Sequence, residues 1–281
     1  MPPPLSHLII HDAVTRALRE DLGDAGDITT HATIPADTIA KAVIAARKPG
    51  VIAGVDLGCA TLLTTGPSTK VSMKQADGAH VKPGDIILSI EGPARAILSA
   101  ERVALNFMGH LSGIATATAA LVDAAQGTAA KIVCTRKTTP GLRALEKHAV
   151  RCGGGHNHRF GLYDAVMIKD NHIAASGGIA TALEQARIAV GHTVKIEIEI
   201  DRLDQLEEAL TGGTDIVLLD NMSIDDLTRA VKLNKGRAVL EASGNVTIET
   251  VRAIAQTGVD IISSGWITHS APTLDLGMDF T

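Results

Sequence analysis

The stretch Val194-Lys195-Ile196-Glu197-Ile198-Glu199-Ile200 decides the reading of the fold. It alternates strictly, isoleucines on one parity and charges on the other, which is the period of a β-strand. Three more apolar runs follow about one strand-helix unit apart: Asp215-Ile216-Val217-Leu218-Leu219-Asp220, Arg237-Ala238-Val239-Leu240 and Asp260-Ile261-Ile262-Ser263. Amphipathic helical stretches fill the gaps, over 202–210, 224–234 and 248–257, with Ser223 and Thr247 as N-caps of the last two. Such alternation predicts a parallel sheet covered by helices. Parallel strands buried on both faces are almost wholly apolar. Lys195, Glu197 and Glu199 on one face of a buried strand would be too costly to leave unpaired. They fit a strand whose charged face looks into a polar lumen, so a barrel suits the pattern better than an open doubly wound sheet. A complete eight-unit barrel needs roughly 250 residues, whereas the strand-helix part here begins near residue 105. The expectation is an incomplete α/β barrel of six or seven strands.

Toward the N-terminus, 131–134 and 165–168 read as two further strands, which brings the count to six. The first hundred residues differ. They show a helix over 11–22, strands over 38–48, 51–54, 70–74 and 85–91, and turns at Pro49-Gly50 and Lys82-Pro83-Gly84-Asp85. This is the pattern of a smaller α+β domain preceding the barrel. Between the two, 97–126 forms a long, Ala-rich helical region broken at Gly109 and Gly113. Glu101, Arg102 and Asn106 interrupt its apolar surface, as would suit a subunit contact.

Composition narrows the function classes. The 281 residues can bury a sizeable core, and no uninterrupted apolar run is long enough to cross a bilayer. The N-terminus lacks the pattern of a signal peptide. Three scattered cysteines argue against a disulfide framework and for a reducing cytoplasm. With a net charge of −5, no basic block, one Trp, one Tyr and three Phe, nucleic-acid binding by base stacking is not expected. Neither a membrane nor a nucleic acid is expected as a partner.

The apolar run Lys131-Ile132-Val133-Cys134 opens into Thr135-Arg136-Lys137-Thr138-Thr139-Pro140-Gly141-Leu142-Arg143. Cations, hydroxyls and a Pro-Gly turn thus sit where a strand gives way to a loop, the place where strand-helix proteins bind phosphates and carboxylates. Gly153-Gly154-Gly155-His156-Asn157-His158-Arg159 adds two histidines and an arginine after flexible glycines. Together they describe a pocket for a small polyanion. Cys152, His156 and His158 could be taken for zinc ligands, but they lack a convincing fourth partner and adjoin Arg151 and Arg159, so zinc on that trio is rejected. Cys134 reads as a small core residue.

These motifs, with Ile168-Lys169-Asp170-Asn171-His172, resemble quinolinate phosphoribosyltransferases. Glu101-Arg102-Val103-Ala104-Leu105-Asn106, Leu219-Asp220-Asn221-Met222, Glu241-Ala242-Ser243-Gly244-Asn245 and Thr268-His269-Ser270 extend the resemblance over nearly the whole chain in order. The resemblance implies an N-terminal α/β sandwich over 1–104, joined by the C-terminal tail 267–281, and an incomplete α/β barrel over 105–266. It implies a homodimer with a shared active site, with higher assembly left open. The implied reaction is attack of quinolinate on C1 of 5-phosphoribosyl 1-pyrophosphate with Mg2+ present. Pyrophosphate leaves, the 2-carboxylate is lost as CO2, and nicotinate mononucleotide results, a step of NAD biosynthesis.

Roles carried over from the family place Arg136, Arg159 and a partner-donated Arg102 on the quinolinate carboxylates. Lys137 and Lys169 lie between the substrates, Thr135 lines the pocket and His158 completes a cationic wall. Arginine suits carboxylates because its fork is bidentate. Glu199 and Asp220 end successive strands and suit a Mg2+ that also touches pyrophosphate. They would favour positive charge at ribose C1, so Lys137, Lys169, Glu199 and Asp220 form the catalytic set. A structural salt bridge from these acids to Lys169 or Lys195 is the plainer alternative, and Glu197 is the rival for the role of Glu199. Ser243-Gly244-Asn245, read as the start of a helix, and Ser263-Ser264-Gly265 follow the last two strands, where barrels often bind phosphate. Ser243, Gly244, Asn245, Ser264, Gly265 and the nearby His269 are therefore candidates for the 5-phosphate. Trp266 stands where the family pattern suggests a small residue. Two rival functions stay open: phosphoribosyl transfer to another pyridine acid, and a divergent paralogue in molybdenum or oxyanion utilisation.

Overall fold

A computed structural model describes residues 3–281. Its strands, in chain order, are β1 (Ile39–Ala46), β2 (Gly50–Val51), β3 (Lys70–Met73), β4 (His80–Val81), β5 (Ile86–Pro93) and β6 (Lys131–Val133). Then come β7 (Val166–Ile168), β8 (Ile196–Ile200), β9 (Ile216–Asp220), β10 (Val239–Ser243), β11 (Ile261–Ser263) and β12 (Leu276–Phe280). The chain divides into two compact units. Of the described residues, one comprises 3–119, 139–154 and 271–281; the other comprises 120–138 and 155–270. The division falls later than the 104/105 boundary read from the sequence. The physical reason is one continuous helix, Ala94–Ala124, most of which packs with the first unit.

In the first unit an antiparallel sheet of order β12-β1-β5-β3 is covered by helical residues. Ile44, Ile87, Leu88 and Ile90 from the sheet form one buried cluster with Leu62, Ile97, Ala100 and Met108 from the helices. The opening helix, His7–Leu22, starts earlier than periodicity suggests because the Ser6 hydroxyl accepts the Leu8 N–H. The expected breaks at Gly109 and Gly113 do not occur. A Cβ on Gly113 would lie 2.1 Å from the Pro272 carbonyl oxygen, and one on Gly109 would lie 3.0 Å from Thr273 Cγ2. These glycines let the C-terminal tail lie against the helix, and the tail then pairs β12 with β1. By length and composition this helix could cross a membrane, but 67% of its most apolar window is buried inside the protein, as in a core helix.

The second unit holds a six-stranded parallel sheet in the order β6-β11-β10-β9-β8-β7. Val133 adds one isolated parallel bridge to His156, just ahead of the other edge strand. This is the expected incomplete barrel, at the lower of the two strand counts. Because side chains alternate along a strand, register fixes which residues share a face. Glu199 pairs with Leu218 and Leu218 with Glu241, while Asp220 pairs with Ser243 and Ser243 with Ser263. One parity thus carries the acids and hydroxyls, and the other carries buried apolar residues such as Ile198, Leu219, Ala242 and Ile262. Lys195 is not part of the charged face. It precedes β8, is mostly exposed and pairs with Asp215 at 2.6 Å.

Ser223 caps Ile224–Asn234 as expected, accepting the Asp226 N–H. Thr247 lies further ahead of its helix than expected: the helix runs over Val251–Gln256, the Thr247 carbonyl accepts the Val251 N–H at 3.0 Å, and the Thr247 N–H donates to the Thr250 hydroxyl at 2.9 Å.

Candidate active site

A cavity of about 710 Å³ opens among the ends of the parallel strands and the loops that follow them. Strand ends position its walls. After β6, the chain turns so that the Lys137 N–H reaches the Thr135 hydroxyl at 3.0 Å, and Thr268 ties down the Lys137 carbonyl at 2.7 Å. That local turn aims Thr135, Arg136 and Lys137 at the cavity. Gly265 leaves room beside them, since a Cβ there would lie 2.8 Å from Lys137 Cδ and displace that side chain. Arg159 is anchored by the Ala165 carbonyl at 3.2 Å, and Lys169 follows the end of β7.

The electrostatics are those of a site built for anions. Arg136, Lys137, Arg159 and Lys169 all line one cavity. The pKa of Arg159 is lowered, first by burial and then by the charge of Arg136. Arg136 Nε is buried and has no hydrogen-bond partner. A buried donor left unpaired costs roughly 1–3 kcal/mol, so this atom calls for an acceptor from outside the protein.

Glu199 is paired with Lys169, and Asp220 accepts from the Asn221 amide at 2.8 Å. Both acids line the cavity. The salt bridge to Lys169 foreseen as the plainer alternative is therefore present, with Lys169 about half exposed. Glu197 lies deeper, 2% exposed, and is not among the lining residues.

His158 Nδ1 accepts the Arg159 N–H at 2.8 Å, and its Nε2 faces Glu197 at 3.1 Å and Glu241 at 3.6 Å. The ring thus bridges the Arg159 backbone and two buried acids at the edge of the cavity. Burial, and after it the charge of Glu197, raises the pKa of Glu241 to about 7, while His158 pulls the other way. His158, Glu197 and Glu241 bring three possible ligand atoms within 4.8 Å of one another, so this cluster could also hold a cation.

Loops after β10 and β11 close the remaining side. Gly244 and Asn245 take φ values of +96° and +52° in succession, a left-handed turn on the cavity wall. A Cβ on Gly244 would meet Asn221 Oδ1 at 2.1 Å, so glycine is obligatory. This loop does not open a helix as expected, and a helix dipole gives it no support. Ser243, Gly244, Asn245, Ser264, Gly265 and His269 all line the cavity.

Every predicted site residue but one thus lines the same cavity. Arg102 is the exception: it is exposed on Ala94–Ala124, in the first unit. Sequence reasoning assigned no role to Asn221, Glu241 or Trp266, which also line the cavity. Glu241 carried the same signal as Glu197, a charge inside an otherwise apolar strand. Asn221, after a strand-ending acid, takes positive φ (53°), a conformation asparagine tolerates, and its Oδ1 lies 2.1 Å from where a Cβ on Gly244 would sit.

Comparison with known proteins agrees with this geometry. Residues 27–112 match the N-terminal domain, and residues 114–279 the C-terminal domain, of quinolinate phosphoribosyl transferase. The chain belongs to the quinolinate phosphoribosyltransferase family. A nicotinate-nucleotide pyrophosphorylase [carboxylating] from Mycobacterium leprae is 45% identical, over 95% of this chain and 96% of that protein. A probable enzyme of the same name from Bacillus subtilis is 43% identical, over 99% and 95%. The crystal structure of NadC from Streptococcus pyogenes superposes with a TM-score of 0.96 at 41% identity, covering 99% of both chains. The family's two-domain fold, an antiparallel N-terminal domain and a parallel α/β sheet, is the one described above.

Proposed function

We propose that this family member transfers the phosphoribosyl group of 5-phosphoribosyl 1-pyrophosphate to the nitrogen of quinolinate. Pyrophosphate and CO2 are released and nicotinate mononucleotide is formed for NAD biosynthesis. The observation that carries this reading is the buried, unpaired Nε of Arg136, set among Arg159, Lys137 and Lys169 in one cavity. Two reactants with several negative charges each must share that space, and fixed cations offset their repulsion. Arg136 and Arg159 take the pyridine carboxylates through bidentate contacts, with Arg102 contributed by the partner of a homodimer. Lys137 and Lys169 lie between the two substrates, and Thr135 and His158 border the pyridine side. The loops at Ser243, Gly244, Asn245, Ser264 and Gly265, with His269, receive the 5-phosphate.

Glu199 and Asp220 fit a Mg2+ ion by donor chemistry, being hard oxygen ligands that line the cavity together. Bound there, Mg2+ would offset the charge of the pyrophosphate group. Lys169, now held by Glu199, is then available to the substrates. The carboxylates of Glu199 and Asp220 also favour the positive charge that develops at ribose C1 as pyrophosphate departs. We place the enzyme in the cytoplasm.

Incubation with quinolinate, 5-phosphoribosyl 1-pyrophosphate and Mg2+ tests this reading. CO2 and nicotinate mononucleotide should appear together, and nicotinate should be a far poorer acceptor because it lacks the second carboxylate. Turnover with nicotinate instead, or no turnover together with tight molybdate binding, would replace the proposal with one of the two rival functions.

A further inference from the structure

In the first unit, on residues that the proposed reaction does not use, Asp77, His148 and Cys152 converge. We propose that these three side chains form a zinc-binding site. His148 and Cys152 stand one helical turn apart on Arg143–Cys152, so they face the same way. Asp77 comes from the loop between β3 and β4, 71 residues before the histidine. His148 Nε2 lies 2.8 Å, and Cys152 Sγ 3.8 Å, from the same oxygen, Asp77 Oδ2. The three ligand atoms all lie within 4.8 Å of one another.

The cluster is enclosed and held in place. The side chains of His148 and Asp77 are 9% and 19% exposed, and Cys152 is buried. Asp77 Oδ1 accepts the Val55 N–H at 3.0 Å, which fixes the carboxylate plane. Such an outer hydrogen bond is what orients a metal-binding carboxylate. Gly78 brings the loop against the helix end, where a Cβ would lie 3.5 Å from the Cys152 carbonyl oxygen.

The chemistry of the donors selects the ion. One sulfur, one imidazole nitrogen and one carboxylate oxygen are the set zinc takes, whereas Mg2+ and Ca2+ require oxygen ligands throughout. Zinc with three protein ligands completes its tetrahedron with water, and the partly exposed Asp77 leaves a way in for it. Charge also balances. A doubly charged ion, a thiolate, a carboxylate and a neutral imidazole sum to zero, which suits a buried site. The thiol proton leaves to solvent, and His148 ligates as the neutral Nδ1–H tautomer after zinc displaces the Nε2 proton that it directs at Asp77 Oδ2.

A thiol nucleophile is the competing use of a cysteine near a histidine, and the geometry opposes it. The thiol and the imidazole both point at the carboxylate, not at each other. Burial, and then the charge of Asp77, pushes the Cys152 thiol well above its ordinary range, so no thiolate forms without a cation beside it. This site is distinct from the trio Cys152, His156 and His158 rejected from the sequence, since His158 is engaged with Glu197 and Glu241.

The test uses the full-length chain stripped of metal with a chelator. Zinc added back should bind stoichiometrically and raise Tm, and cobalt in its place should give an ultraviolet thiolate-to-cobalt charge-transfer band. The band should vanish in Cys152→Ser, weaken at least tenfold in apparent affinity in His148→Gln and Asp77→Asn, and persist in Cys134→Ala. Circular dichroism checks that each variant is folded. Should Cys152→Ser fail to fold, His148→Gln decides, and unchanged cobalt affinity there overturns the proposal. So does the lack of a charge-transfer band in the wild-type protein, or its survival in folded Cys152→Ser.

Discussion

Replacing Arg136 by alanine separates a binding role from a structural one, because the two predict opposite effects on stability. The guanidinium lines the cavity, its Nε is buried without an acceptor, and its charge lowers the pKa of Arg159. In the ligand-free protein Arg136 is therefore held in an unfavourable setting, which a dicarboxylate relieves. Removing one partner of a buried charge pair costs ~2–5 kcal/mol, and each tenfold corresponds to about 1.4 kcal/mol. Arg159 stays in place and is freed from the neighbouring charge, so the lower half of that range applies. The expected loss in kcat/KM for quinolinate is roughly thirty- to several-hundred-fold. Tm of the ligand-free variant should not fall, since an unpaired buried donor and a cation-cation repulsion have both been removed. Arg136→Lys keeps the charge but loses the fork, and should recover only part of the activity. Steady-state kinetics with quinolinate varied, alongside thermal unfolding, measures both quantities. An unchanged kcat/KM, or an activity loss matched by a collapse in Tm, would refute the reasoning.

Further expectations concern the other walls of the cavity. Gly244→Ala forces a Cβ to within 2.1 Å of Asn221 Oδ1 at φ +96°, so KM for the ribose donor should rise much more than KM for quinolinate. Asp220→Asn should likewise weaken the ribose donor more than quinolinate, with a raised Mg2+ requirement; equal losses for both substrates would mark a purely structural acid. Glu241 is 1% exposed, and its pKa is raised from 4.5 to about 7, so the folded protein binds its proton more tightly than the unfolded chain does. Its contribution to stability is then greatest below pH 4.5 and declines by about 3 kcal/mol as pH rises to about 7. Glu241→Gln should therefore raise Tm at pH 8 relative to wild type and flatten the pH profile, and a Tm gain confined to acid pH would contradict this. For the shared site, Arg102→Ala and Lys169→Ala homodimers should each be nearly inactive. Subunit exchange between them makes about half the dimers mixed, each with one intact site, so activity should return to roughly one quarter of wild type. Activity that stays at the level of the separate variants would confine Arg102 to its own chain.

How far the sequence reached can be followed along β8. The alternation of Ile196, Ile198 and Ile200 with Glu197 and Glu199 is local information, fixed by the two-residue period of a strand. It was enough to predict a polar lumen, a parallel sheet and an incomplete barrel. The loops after β6, β10 and β11 were legible for a similar reason, because cations, glycines and hydroxyls directly after buried strands stay at the strand ends whatever the rest of the chain does. Depth within the lumen was not legible. Glu197 and Glu199 look alike in sequence, yet register puts one under His158 and the other on the cavity wall beside Lys169. The partners of His158 were likewise a tertiary matter, since one ring nitrogen meets the Arg159 N–H and the other faces Glu197 and Glu241. Gly109 and Gly113 read as helix breaks because nothing local reveals the tail at 272–274 that lies against them. The convergence of Asp77 on His148 and Cys152 had no local signal either. Sequence determines what each short segment prefers, through propensity and period. Only the packed chain decides which distant side chains share a few ångströms, and there proximity and burial set the charge, the hydrogen bonds and the chemistry.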